Sequence, residues 1–145
     1  MSHRLDPACF PLRGSRLIEA SAGTGKTWTI AALYLRLVLG HGDADTAFAR
    51  PLLPAEILVM TFTRAATREL SERIRERLRE AAAWFRKEDA GSAPDPLLDE
   101  LRAAYPDAAA RRNAAWRLAM AAAAMDDAAV FTIDAWCQRM LREHA

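Results

Sequence analysis

Between residues 26 and 39 apolar side chains recur at Ile30, Leu33, Tyr34, Leu37 and Val38. That three- and four-residue spacing predicts a helix with one apolar face. Gly40 should stop it, with Gly42, Pro51 and Pro54 marking the loop beyond. Ile57-Leu58-Val59-Met60-Thr61-Phe62 is a continuous apolar run between polar residues, the pattern of a strand buried on both faces. From Arg64 to Lys87 the period is helical again. Ala66, Leu70, Ile74, Leu78 and Phe85 form one stripe, and Glu69/Arg73 and Glu76/Arg79 are placed to pair on the exposed surface.

Ala90-Gly91-Ser92-Ala93-Pro94-Asp95-Pro96 breaks the pattern. Two helices are predicted after it, Leu97–Tyr105 and about Ala108–Met125, separated by Pro106. Val130–Ile133 reads as a short strand, with Asp134 as the N-cap of a last helix. That helix reaches Ala145 without a stop signal, as expected of a segment of a longer polypeptide. Near the start, Arg16–Ala20 reads as a strand followed by the loop Ser21–Gly25. Strand, helix and strand then form a βαβ unit, which calls for parallel strands and a right-handed crossover. The fold class is α/β.

A chain of 145 residues is enough for one domain. With 52% hydrophobic and 27% charged residues it is neither a disordered segment nor a membrane protein. Its longest apolar run, Ala31–Leu39, is interrupted by Arg36 and is far shorter than the roughly 20 residues of a span. The first residues lack the apolar stretch of a secretory signal. Cys9 and Cys137 suggest neither a disulfide framework nor a metal set, so a reduced, cytoplasmic protein is expected. Twenty Lys and Arg against 19 Asp and Glu leave a net charge of +1, so nucleic-acid binding has to come from local placement of charge. Only two of the basic residues are lysines, Lys26 and Lys87, which makes the position of each informative.

Lys26 lies in Ala20-Ser21-Ala22-Gly23-Thr24-Gly25-Lys26-Thr27. This matches the phosphate-loop pattern G-x-x-x-x-G-K-[ST] except for Ala at its first position, and it stands between a predicted strand and a predicted helix. In such a loop the backbone N–H groups of Gly23–Thr27 face a β-phosphate at the positive end of the helix dipole. Lys26 reaches the β- and γ-phosphates, and the Thr27 hydroxyl is a ligand for Mg²⁺. A glycine-rich turn with a solvated lysine is the bland alternative; the strand–loop–helix setting argues against it.

Three segments taken together resemble three successive motifs of UvrD/Rep-type superfamily-one DNA helicases. They are Leu17–Thr27, Val59–Leu70 and Val130–Met140, in the family's order and spacing. Within that family the likeness is greatest to the beta subunits of exodeoxyribonuclease V. It runs from about Pro11 to His144 and is weakest across residues 87–115. The resemblance implies a partial RecA-like P-loop NTPase domain spanning residues 1–145, with a helical insertion at about 94–127. It implies ATP and Mg²⁺ as cofactors, held by Ala20, Ser21, Ala22, Gly23, Thr24, Gly25, Lys26 and Thr27. It also implies a bacterial, cytoplasmic 3′–5′ helicase/exonuclease of double-strand-break repair and recombination. Its implied partners are single-stranded DNA, double-stranded DNA ends, and the gamma and alpha subunits of an exodeoxyribonuclease V complex, with no membrane involved.

Thr61-Phe62-Thr63-Arg64-Ala65-Ala66 resembles the family's T-F-T-x-x-A-A motif, with Thr67 at its last position, so the resemblance assigns DNA contacts to Phe62, Thr63 and Arg64. Hydroxyls and N–H groups at a helix start suit a DNA phosphate, and an aromatic can stack on a base; spacing alone also allows a buried Phe62. Two positions depart from the family. Asp134 stands where the family has a DNA-facing His, and either caps a helix or lies near DNA. Arg13 stands where a Gln reads adenine, and either stacks on the base or is an ordinary surface arginine. Trp84, Trp116 and Trp136 are read as packing residues. Phosphoryl transfer also needs a carboxylate for Mg²⁺, a residue that positions water and an arginine, and the family's D-E-x-Q-D motif does not occur in these residues. The chain therefore reads as an N-terminal segment, inactive by itself. The rival readings are a small P-loop kinase, against which T-F-T-x-x-A-A argues, and a degenerate nucleotide-binding module that docks a partner.

Overall fold

A computed structural model describes residues 5–19, 25–88, 91 and 94–144. Its longest element is helix α2, Arg64–Arg86, whose residues Leu70, Ile74, Leu78, Ala81, Ala82, Trp84 and Phe85 are buried. The apolar stripe expected from the sequence is there, and α1 (Lys26–Leu39) and α4 (Ala108–Ala123) pack along it. α4 meets the core through Ala114, Ala115, Leu118, Ala121 and Ala122; side chains this small let two helix backbones approach closely. The short helix α3, Pro96–Ala103, covers the end of the bundle with Leu97, Leu98 and Leu101. Strands β1 (Val59–Thr61) and β2 (Val130–Thr132) form a parallel pair with Val59 opposite Val130, and helix α5, Ile133–Glu143, leaves directly from β2. No helix of the described residues is long and apolar enough to cross a membrane.

The glycine stop of α1 has two causes. Gly40 takes φ +71°, its N–H donates to Arg36 O at 2.8 Å, and a Cβ there would sit 2.9 Å from Pro51 Cγ. Four helix starts carry a side-chain cap. Thr63, Asp95, Asp107 and Thr132 accept from the N–H of Ala66, Leu98, Ala110 and Ala135 at 3.0–3.1 Å.

Several expectations are corrected. Arg16–Glu19 is exposed and joins no ladder among the described residues, and Ala20 lies outside them. The parallel pair is consequently β1 with β2, and the βαβ unit expected from Arg16 to Phe62 is not formed among the described residues. The run at 57–62 alternates instead of being buried on both faces: Ile57 is buried, while Leu58, Met60 and Phe62 are exposed. A two-stranded sheet covers only part of each strand's surroundings. Asp134 is not the N-cap of α5. Thr132 is, and Asp134 sits in the first turn, where a carboxylate favours the helix dipole. Within α2 the ion pairs among the described residues are Glu72–Arg75 at 2.7 Å, Arg73–Glu76 at 3.9 Å and Arg77–Glu80 at 3.2 Å. Glu76 pairs back to Arg73 and not forward to Arg79, which leaves neither expected pair, Glu69/Arg73 or Glu76/Arg79, formed among the described residues. α4 ends at Ala123 in a 3₁₀ turn, Ala124–Asp127, and α3 begins one residue early, at Pro96. Trp84 is buried, but Trp116 is 59% exposed and Trp136 only half-buried, so packing fully describes the first of the three.

Arg36 interrupts the apolar run of α1, yet it is fully buried. Its Nη1 donates to Pro7 O (3.1 Å) and Phe10 O, and its Nη2 to His41 O (3.2 Å) and Thr46 O (3.0 Å). One guanidinium thereby joins the N-terminal segment to α1 and to the loop that follows it. Leu12 N–H to Thr46 O (2.9 Å) and Arg13 Nε to Ala47 O (3.0 Å) extend the same seam.

Asp95 ties α3 to α2. One carboxylate oxygen caps Leu98 N–H and the other pairs with Arg77 Nη1. Burial pushes its pKa up, but the pairing with Arg77 and the capped N–H outweigh this, and the net shift is downward. A carboxyl depressed in the folded state contributes stability that is complete above its unfolded pKa, about 3.9. That contribution disappears as pH falls through the folded value. An acid titration followed by circular dichroism should show part of the stability lost below about pH 4, and Asp95→Asn should remove that part. Identical acid profiles for the two proteins would contradict the ion pair.

Candidate nucleotide and nucleic-acid site

α1 begins at Lys26 behind Gly25, which takes φ +81° and ψ 26° and provides no side-chain cap. A left-handed start of this kind is open to glycine and strained for other residues. A Cβ on Gly25 would meet nothing within 4 Å among the described residues. The N–H groups of the first turn have no intrahelical acceptor, and Lys26 is exposed beside them. These features suit an anion at the helix start. Ala20, Ser21, Ala22, Gly23 and Thr24, the rest of the expected loop, lie outside the described residues. Thr27 is half-buried at the end of the loop; its hydroxyl is of the right type for Mg²⁺.

Beside Thr27, a cavity of about 390 Å³ opens between α1 and α2, with Trp28, Glu69, Arg73 and Arg77 on its walls. Trp28 is 45% exposed, and Arg77 Cζ lies 5.6 Å from its ring centroid. Sequence reasoning passed over Trp28. The available signal was an aromatic directly after the phosphate-loop threonine, on the polar side of the α1 stripe.

The junction of β1 and α2 forms a second feature. Phe62 is 89% exposed, which overturns the buried reading. Thr63 caps α2 through its hydroxyl oxygen, and its carbonyl accepts from the Thr61 and Thr67 hydroxyls, each at 3.0 Å. The turn is thus held rigid by three threonines, while the Thr63 O–H keeps its proton available for an acceptor. Arg64 is exposed as the first residue of the helix. Glu69, on the cavity wall, follows five residues later, about 7.5 Å along the axis. α2 therefore carries both features. Arg13 lies elsewhere, bonded through Nε to Ala47 O as an exposed arginine, and Asp134 is exposed on α5.

Comparison with known proteins identifies the family. The family described as "UvrD/REP helicase N-terminal domain" matches residues 2–145. The chain is 51% identical, over its whole length, to the N-terminal region of "RecBCD enzyme subunit RecB" from Escherichia coli (strain K12). It is 45% identical over 97% of its length to the protein of that name from Haemophilus influenzae, and 36% identical over 87% to the one from Mycobacterium tuberculosis (strain CDC 1551 / Oshkosh). It spans only 12%, 12% and 10% of these relatives' lengths. A glycine-led helix start with Lys26 and Thr27, a threonine-pinned strand–helix junction, and a match over nearly every residue thus place the chain in the UvrD/REP helicase N-terminal domain family.

Proposed function

We propose that the chain is the ATP-binding N-terminal segment of a RecB-type, ATP-dependent 3′–5′ DNA helicase/exonuclease of double-strand-break repair and recombination in the bacterial cytoplasm. Its partners would be single-stranded DNA, double-stranded DNA ends, and the gamma and alpha subunits of an exodeoxyribonuclease V complex. The observation that carries the nucleotide half of this reading is the uncapped, left-handed start of α1 at Gly25, with Lys26 exposed beside it. The free N–H groups of the first turn would hold phosphate oxygens, Lys26 would neutralise the β- and γ-phosphates, and Thr27 would hold the metal. Mg²⁺, when bound, supplies the positive charge that offsets the phosphate oxygens. The base would lie in the cavity beside Thr27, stacked on Trp28. The helices of residues 94–127 would be the insertion in this domain.

The test is a titration with ATP and Mg²⁺. Lys26→Ala removes a charge-assisted phosphate contact and should weaken binding by roughly 1.5–3 kcal/mol. Equal affinity of the two proteins would overturn the loop assignment.

For DNA, the carrying observation is the exposure of Phe62 at a rigid turn next to Arg64. Phe62 would stack on a base, and Thr63 and Arg64 would contact phosphates. Phe62→Ala should weaken single-strand binding by about 1–3 kcal/mol while leaving the melting temperature unchanged, because the ring touches little of the core. Few phosphates are engaged, so the salt slope should be shallow, about −0.7 per phosphate. Fluorescence anisotropy that shows no difference between the proteins at low salt would remove Phe62 from the interface.

A further inference from the structure

Arg77 is only 8% exposed, yet it stands on the wall of the cavity beside Thr27. Its Nη1 is held by two carboxylates, Asp95 and Glu80, the latter at 3.2 Å. Its Nε and Nη2 have no hydrogen-bond partner among the described residues. A buried cation with donors left unused is costly, and an apolar residue of similar size would pack α2 at least as well. Its charge has a neighbour that gives it a purpose. The guanidinium carbon lies 5.6 Å from the centroid of the Trp28 ring, and that ring is the exposed aromatic next to the phosphate end of α1. A cation over a ring face holds the ring in one orientation. A ring already fixed loses less freedom when a base stacks on it. Asp95, which anchors Arg77, is itself fixed as the cap of α3. A continuous line of contacts therefore runs from the start of α3 through Asp95 and Arg77 to Trp28.

We propose that Arg77 is a positioning residue for the nucleotide base: anchored by Asp95 and Glu80, it fixes the Trp28 ring as the stacking platform beside Thr27. This rests on the nucleotide reading above and deepens it. The base subsite is set by α2 and by the start of α3, in addition to the phosphate loop. The ligand class is a nucleoside triphosphate, whose base contributes binding that a bare polyphosphate lacks.

Calorimetric titrations with ATP and with inorganic tripolyphosphate, each with Mg²⁺, test it. Arg77→Met should weaken ATP about threefold to tenfold and leave tripolyphosphate unchanged. Trp28→Leu should do the same, and the double variant should be no weaker than either single one. Arg77→Lys, which keeps the cation, should restore part of the loss. Should Arg77→Met not fold, Asp95→Asn retains the α3 cap and removes one of the two carboxylates that hold the guanidinium, and a smaller loss, again selective for ATP, is expected. Equal weakening of both ligands, additive effects of the two substitutions, or unchanged ATP affinity would overturn the assignment. Wild-type protein that binds neither ligand would overturn the nucleotide reading itself, and the base subsite with it.

Discussion

Arg36→Met is expected to lower the stability of the fold by about 4 kcal/mol, close to the whole stability of a marginal domain. Methionine keeps an unbranched apolar stem but none of the donors. Four carbonyls, of Pro7, Phe10, His41 and Thr46, lose a charged donor at once, and each such loss in a buried place costs about 1–3 kcal/mol before relaxation. Burial depresses the pKa of the guanidinium, while Cys9, Asp6 and Asp43 offset part of that shift; the carbonyl cage makes the buried charge tolerable. The segment held by the cage should come loose first. Trypsin should therefore cut after Arg13 and Arg16 in the variant well before the helices melt. Arg36→Lys, with a compact head in place of a fork, should fall between the two. Urea midpoints and proteolysis rates equal to those of the wild type would show that the cage is dispensable.

Phe85→Ala should cost a similar amount, about 3–5 kcal/mol. The ring is fully buried near the end of α2. It lies 5.6 Å from the Tyr105 ring at an interplanar angle of 55°, an arrangement that adds to the burial itself. Tyr105 in turn donates to Leu39 O at 3.4 Å, so the cavity left by alanine would open where α1, α2 and the α3–α4 connection meet. Phe85→Leu, which keeps most of the volume, should cost less than about 1.5 kcal/mol. Thermal melts separating the two substitutions by less than about 1 kcal/mol would mean that the site collapses freely.

The helices were legible in the sequence because their apolar spacing is set by burial against one another, and this fragment supplies both sides of those contacts. α2 differs from its expected span only by Lys87. The strands were less legible. A strand needs neighbours, and the run at 57–62 has a single partner, β2, among the described residues, so Leu58, Met60 and Phe62 remain exposed despite a largely apolar pattern. Local rules also failed where two residues competed for one role. Thr132 displaced Asp134 as the cap of α5 because the helix begins two residues earlier than Ala135, at Ile133. At the candidate site, Lys26 and Thr27 were named from motif spacing, and Phe62, Thr63 and Arg64 from the family resemblance. Trp28 and Arg77 could not, since their relation depends on how α1 crosses α2. Arg36 was read as a break in an apolar run, and its acceptors are carbonyls, which leave no trace in residue type.

The pairing of Val59 with Val130 bears on the order in which the chain folds. All of α2, α3 and α4 lies between the two strands, so the loop they close is among the longest the fold contains. Closing it costs chain entropy before the short ladder returns anything. The helices can form and meet first through local contacts, and the ladder can only register on a surface they have already built. The turn that carries Phe62, Thr63 and Arg64 grows directly out of that ladder. It is therefore expected to form late and open first, and a strand of nucleic acid captured there would act as a brake on unfolding at the sheet.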